Sequence, residues 1–163
     1  MTRQNDEPHQ SVDLGLADSA RMANVHRAAF SGDRAWSAQQ FEDLLNQTSI
    51  RARGIAERGA IQAFVLFQIA VDQVEILTIA TAPSARRQGF ASALLADTEN
   101  RLMREGVVNW WLEVAEDNLG AVKFYQSLGF KSDGRRPNYY KRLEGNRVDA
   151  ILMSKPMARQ AAT

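Results

Sequence analysis

Cysteine is absent from the chain. That excludes a disulfide framework, a thiolate metal site and a cysteine nucleophile. Histidine occurs only as His9 and His26, too few for a histidine-rich metal site. No apolar run is long enough to span a membrane. Met1 to Gln10 is polar, without the apolar core of a signal peptide, and reads as a flexible start. These absences make the cytoplasm the expected location. An excess of basic charge is also missing. The formal net charge is +1, whereas a general nucleic-acid binder is strongly basic. There are no internal repeats and no interdomain linker. What remains is ordinary: 163 residues, 45% hydrophobic and 24% charged, enough for one domain with a sizeable core.

One stretch organises the rest. Val74, Ile76, Leu77, Ile79 and Ala80 form a nearly continuous apolar run, the pattern of a strand covered on both faces. Pro83 cannot donate a ladder hydrogen bond and biases Ala82 away from helix. Arg86, Arg87, Gln88, Gly89 and Phe90 then lead into a helix from Ala91 to Glu105, closed by Gly106. A helix start carries unpaired N–H groups and partial positive charge, and Gly89 and Ala91 let an anion approach the backbone closely. The expected tenant is a pyrophosphate. No Gly-Lys-Ser/Thr follows, so this is not a Walker loop, and it is not a dinucleotide Gly-x-Gly-x-x-Gly either. Taken alone, the loop is equally compatible with an ordinary basic strand-to-helix turn.

The remaining elements follow from periodicity. Val12, Leu14 and Leu16 alternate as a short strand. Asp18 or Ser19 is placed to cap a helix with Met22, Val25, Ala29 and Phe30 on one face. His26 lies in that helix and reads as a plain surface or half-buried residue. Ser37 and Gln40 form a capping box, with Trp36 and Phe41 as its hydrophobic staple. Strands are expected at Ile50 to Ala56 and Ala60 to Ala70, joined by a turn at Glu57 to Gly59, with a second short turn at Val71 to Gln73. Val107 to Ala115 is a strand. Asn118 caps a helix bearing Ala121, Val122, Phe124, Tyr125 and Leu128, and Gly129 closes it. Phe130 starts a strand, Asp133 to Pro137 reads as a loop, and Val148 to Met153 is the last strand. The expected fold class is mixed α/β: one central, mostly antiparallel sheet with a splayed parallel strand pair and flanking helices. The domain is expected over residues 11–155, with a C-terminal tail over 156–163.

Several motifs together resemble the GNAT family of N-acetyltransferases. They are Trp36, Ser37 and Phe41; Ile79 and Ala80; the Arg86-x-x-Gly89-x-Ala91 loop; and Trp111, Leu112, Glu113 and Val114. Asn118 with Ala121, and Phe124 through Phe130, continue the likeness. Asn138, Tyr139 and Tyr140, with Asp149 and Ala150, are similar to its RimI-type ribosomal-protein alanine N-acetyltransferases. The likeness spans roughly Val12 to Lys155. It implies acetyl-CoA as co-substrate and no metal. It implies that backbone groups of Ile79, Ala80 and Thr81 pair with pantetheine. Backbone N–H groups of Arg87, Gln88, Gly89, Phe90, Ala91 and Ser92 would hold the pyrophosphate, with Arg86 opening the motif and Asn118 bonding the cofactor. The chain departs from the family's more frequent glycine at Ala91, and from the Val-Asp of the nearest relatives at Thr81 and Ala82.

Acetyl transfer to an amine needs a proton acceptor, an oxyanion donor and protonation of the leaving thiolate. A free α-amine has a pKa of about 8, so a modest base suffices. The resemblance assigns that role to Glu113, whose pKa partial burial among Trp111, Leu112 and Val114 is expected to raise. The alternative is a strand glutamate that reaches solvent or pairs with an arginine. Glu75 is the next candidate base. Tyr125 is the implied acid; the alternative is a core aromatic. A backbone N–H near Ala80 or Thr81 is the implied oxyanion donor.

The expected acceptor is a protein N-terminus, an alanine of a ribosomal protein, with neither membrane nor direct nucleic-acid partner. Arg135 to Tyr140 is expected between the last two strands, where Asn138, Tyr139 and Tyr140 would meet a short peptide. A lysine or small-amine acceptor is the second reading. A non-catalytic acetyl-CoA-binding module is a third, and a nucleic-acid module using Arg86, Arg87, Arg135 and Arg136 a fourth.

Overall fold

The structure is a computed structural model that describes residues 9–30 and 34–157. Residues 1–8 of the expected flexible start and 158–163 of the expected tail lie outside the described residues. The described residues hold seven strands in the hydrogen-bonded order β1-β2-β3-β4-β5-β7-β6, with α-helices α1 to α4. The chain divides into two compact units, described in turn: Met1–Phe67 with Thr78–Leu102, and Gln68–Leu77 with Met103–Thr163. Strands β3 (Ala60–Ala70) and β4 (Gln73–Thr81) each run through both.

In the first unit, β1 (Val12–Leu14) pairs antiparallel with β2 (Ile50–Glu57). A side chain at Gly54 would come within 2.7 Å of the Leu14 side chain and 3.1 Å of the Ala63 carbonyl, so glycine lets β1 lie close. Leu16 does not extend β1 as its alternation suggested. It enters a short 3₁₀ turn and is exposed, as is Val12, leaving Leu14 as the buried member. Arg53 on β2 is buried against Ser11, Asp13 and Asp97. A two-residue turn at Arg58 and Gly59, both with positive φ, joins β2 to β3 in the geometry that suits the twist of paired strands.

Helix α1 (Ser19–Ala29) buries Ser19, Met22, Ala23 and His26. Two expectations change here. Neither candidate cap acts as one: Asp18 accepts from the Gly15 N–H at 2.9 Å and from Arg21, and the buried Ser19 hydroxyl has no partner among the described residues. The buried stripe is also rotated away from Val25, Ala29 and Phe30, toward Ala23 and His26. Burial of His26 is tolerated because both ring nitrogens are bonded. Helix α2 (Ala38–Leu45) begins as its sequence predicts. Ser37 accepts from the Gln40 N–H at 3.2 Å, Gln40 accepts from the Ser37 N–H at 2.8 Å, and the Trp36 and Phe41 rings lie 5.5 Å apart. Helix α3 (Phe90–Arg104) seats Phe90, Leu94, Leu95, Thr98 and Leu102 in the core.

In the second unit, β4 runs parallel to β5 (Asn109–Ala115) from the Gln73–Asn109 pair to Ile76–Leu112. The ladder stops there, although both strands continue. Helix α4 (Leu119–Ser127) follows β5, and β6 (Lys131–Lys141) and β7 (Arg147–Pro156) form the closing hairpin. Trp110, Leu112 and Val114 are buried on one face of β5, and Trp111 and Glu113 take the other.

Asp133 to Pro137 is not a loop and does not lie between the last two strands: it belongs to β6. β6 is last in the strand order and its pairing with β7 shifts between Ser132 and Gly134 and again between Arg136 and Tyr140. Pro137 falls in the second shift, where a missing ladder donor costs nothing. The last strand also reaches further than expected, to Pro156, and Met157 is buried.

The turn into β4 places Val71 at φ 59° with 98% of its surface exposed. A β-branched residue is disfavoured in that region, which asparagine accepts more readily. Val71→Asn should therefore stabilise the protein by about 1 kcal/mol. Urea unfolding is the measurement, and an unchanged or lower midpoint at constant slope would refute the strain.

Candidate active site

The loop of the first unit is built from the end of β4. The Ala82 N–H donates to the Gln62 carbonyl at 2.8 Å, fixing where the strand stops. Pro83 to Ala85 then make one 3₁₀ turn with Ala85 buried, and Arg86 to Gly89 are exposed. Arg87 and Gly89 have φ of 61° and 81°. A side chain built at Gly89 would meet no protein atom within 4 Å, so backbone conformation, not packing, requires glycine there. Phe90 is buried and stacks near His9 at 4.4 Å, anchoring the first turn of α3. Ser92 is exposed and Ala91 half-buried. The result is a 15-residue helix whose N-terminus follows an exposed loop.

Two of the polar side chains of this loop are bonded to backbone carbonyls. Arg86 donates to the Ala29 carbonyl at the end of α1 at 3.3 Å, and Gln88 donates to the Ser84 carbonyl at 2.8 Å. Upstream, Ala80 is buried while Ile79 and Thr81 are half-buried. The continuous apolar run of β4 therefore does not mean coverage on both faces. Val74, Ile76 and Ala80 face the core, and Glu75, Leu77, Ile79 and Thr81 occupy the half-open side.

The second unit gathers a charged cluster. Glu75 registers against Trp111, so Glu75 and Glu113 share one face of the β4–β5 ladder. The Arg136 Nε lies 2.6 Å from Glu113 Oε1, with the glutamate side chain 11% exposed and the arginine 54%. Glu113 is thus arginine-paired, the alternative that its sequence left open. Burial raises the Glu75 carboxyl above its ordinary value, Glu113 adds to that, and Arg136 opposes it. The Arg136 guanidinium lies 5.6 Å from the centre of the Tyr139 ring, in reach of its π face. The half-buried Tyr140 phenol is raised first by burial and then by Glu113, with Arg142 opposing. Its hydroxyl lies 3.5 Å from the Glu113 carbonyl oxygen, at the limit of a hydrogen bond.

Tyr125 is buried on α4, with the rings of Phe124 and Phe130 at 5.4 and 5.5 Å. Burial, with Tyr140 adding, pushes its phenol far above its ordinary value. Asn118 caps α4, accepting from the Ala121 N–H at 3.3 Å, which leaves its amide hydrogens out of that contact. The β6–β7 hairpin is fastened to the residues just after β5 by Arg135 on Glu116 and by Arg142 on Asp117, and Arg135 also pairs with Asp149 of β7. Sequence reasoning missed Arg136 as the partner of Glu113. The missing signal was register, hidden by the two shifts in β6.

The profile of the acetyltransferase (GNAT) family matches residues 20–130. The chain belongs to that family. It is 34% identical over 123 residues to the ribosomal protein bS18 alanine N-acetyltransferase of Escherichia coli, covering 76% of this chain and 82% of that one. The crystal structure of the ribosomal-protein alanine N-acetyltransferase from Escherichia coli superposes with a TM-score of 0.82 at 31% identity, over 93% of this chain and 96% of that one. Arabidopsis thaliana NAA60, solved in complex with acetyl-CoA, shares the GNAT fold at TM-score 0.76 and 19% identity, over 91% and 98% of the two chains. The mixed α/β sheet with its one parallel pair is therefore the GNAT architecture, and the chain is an acyltransferase.

Proposed function

We propose that this protein transfers the acetyl group of acetyl-CoA to the α-amine of a protein N-terminus, an alanine of a ribosomal protein. One observation carries the acceptor: the likeness, over most of both chains, to an enzyme named for that alanine. The side-chain chemistry is in keeping with it. Two carboxylates on one face of the β4–β5 ladder, Glu75 and Glu113, can receive an ammonium group and take its proton. Glu113 is the base, acting directly or through one water, with Arg136 holding its carboxylate in place.

The backbone of Ile79, Ala80 and Thr81 pairs with pantetheine, and a backbone N–H near Ala80 or Thr81 donates to the oxyanion. N–H groups from Arg87 through Ser92 hold the pyrophosphate. Arg86 acts there by fixing the loop to α1, given its contact with Ala29. Asn118 donates to the co-substrate through its amide hydrogens. Burial raises the Tyr125 phenol, so it stays protonated near neutral pH and can donate a hydrogen bond to the departing sulfur. Bringing amine and thioester together supplies much of the rate. No helix among the described residues is long and apolar enough to cross a membrane, and we place the enzyme in the cytoplasm. Residues 11–155 form the catalytic domain in this reading.

The test uses two peptide sets. Peptides with a free N-terminal alanine should be acetylated, and the same peptides blocked at the N-terminus but bearing lysine should react far more slowly. Equal rates would replace the α-amine acceptor with lysine.

A further inference from the structure

His26 is the one buried imidazole of the first unit's described residues, and the chemistry above does not use it. Its Nδ1 lies 3.0 Å from the backbone N–H of Trp36, and its Nε2 lies 3.1 Å from the Thr78 hydroxyl. A backbone N–H can only donate, so Nδ1 must accept. Burial lowers the imidazole pKa to about 4, so the ring is neutral near pH 7 and carries its proton on Nε2. Nε2–H then donates to Thr78 Oγ1. The ring cannot turn to reverse this order. Phe30, Trp36, Phe41 and Phe64 surround it at centroid distances of 4.4, 5.2, 5.6 and 6.3 Å.

Thr78 therefore has an acceptor position filled and its own proton to give. Among the described residues His26 is its hydrogen-bond partner, and the side chain is half-buried on β4. Strand polarity says what lies there. With pyrophosphate on the loop after β4 and pantetheine along Thr81, Ala80 and Ile79, the co-substrate is read backward along the strand. Its acyl end then lies over Ile79, where the carbonyl oxygen that takes the backbone N–H near Ala80 also stands beside the Thr78 side chain. We infer that Thr78 presents its hydroxyl proton to the acyl carbonyl oxygen of acetyl-CoA, and that His26 is the positioning residue that sets this direction. The inference rests on the co-substrate placement proposed above.

The test compares Thr78→Val, which keeps the shape and removes the hydroxyl, with Thr78→Ser, which keeps the hydroxyl. Thr78→Val should lower kcat by about 10²-fold, as loss of one oxyanion donor does. In calorimetry it should also weaken the preference for acetyl-CoA over CoA by about fivefold, the worth of one neutral hydrogen bond. Thr78→Ser should restore both. His26→Gln should slow the wild-type enzyme yet cost no further kcat in the Thr78→Val background, whereas a purely structural role would cost the same in each. Wild-type kcat and preference in Thr78→Val would overturn the inference. So would a serine variant as impaired as the valine one, or a loss confined to peptide KM. A wild-type protein that fails to bind acetyl-CoA at all would instead sink the co-substrate placement.

Discussion

Glu113→Gln is expected to lower turnover at neutral pH by about 10²–10⁴-fold, with acetyl-CoA affinity little changed. The amide keeps the shape of the carboxylate and loses the capacity to take a proton. It also leaves Arg136 without the carboxylate that stands 2.6 Å away. A second effect follows at Glu75. Glu113 is one of the groups that raise the Glu75 carboxyl, so its removal lets that carboxyl ionise at lower pH. If Glu75 were the true base, Glu113→Gln would leave the rate near normal and shift the acid limb of the pH–rate profile downward. Glu75→Gln would then be the inactive variant. Steady-state rates of both variants across the pH range decide between the two carboxylates.

Gly89→Val is expected to abolish acetyl-CoA binding in a protein that still folds. Gly89 has φ of 81°, a conformation that a β-branched residue resists at a cost of about 1–2 kcal/mol. A Cβ at this position meets no described protein atom within 4 Å apart from its chain neighbours, and Gly89 is exposed, so the core is undisturbed. The valine would stand where the proposed pyrophosphate approaches the helix start, and relief of its strain would turn N–H groups away. Circular dichroism should show native helix content, and calorimetry should show no acetyl-CoA binding. Unchanged affinity in the folded variant would remove the anion site from this loop.

Much of this was legible because local chemistry decided it. The capping box of Ser37 and Gln40 and the staple of Trp36 on Phe41 need only neighbours in sequence. The same holds for Gly106 and Gly129 closing two helices, and for the glycine-containing turn before α3. What escaped was decided at a distance. His26 lies 10 residues from Trp36 and 52 from Thr78, and only the fold supplies those partners. The pairing of Arg136 with Glu113 depends on a register that β6 breaks twice. Pro137 suggested a loop because a proline inside a paired strand is costly, and that cost vanishes where the strand is unpaired. The apolar run of β4 overstated its burial, since composition reports greasiness and not which face finds a neighbour.

The two shifts in β6 and its Pro137 have a consequence for the molecule in a crowded solution. A terminal strand with a long regular backbone invites another chain to dock along it and so seeds fibres. β6 has 11 residues, long enough for that hazard. Its register breaks and its proline, with Arg135 and Arg136 between them, deny an incoming chain a continuous row of partners. At the other end of the strand order, β1 has only three residues. The features that disguised β6 as a loop in the sequence thus make the strand that carries Arg136, Tyr139 and Tyr140 a poor template for strand addition.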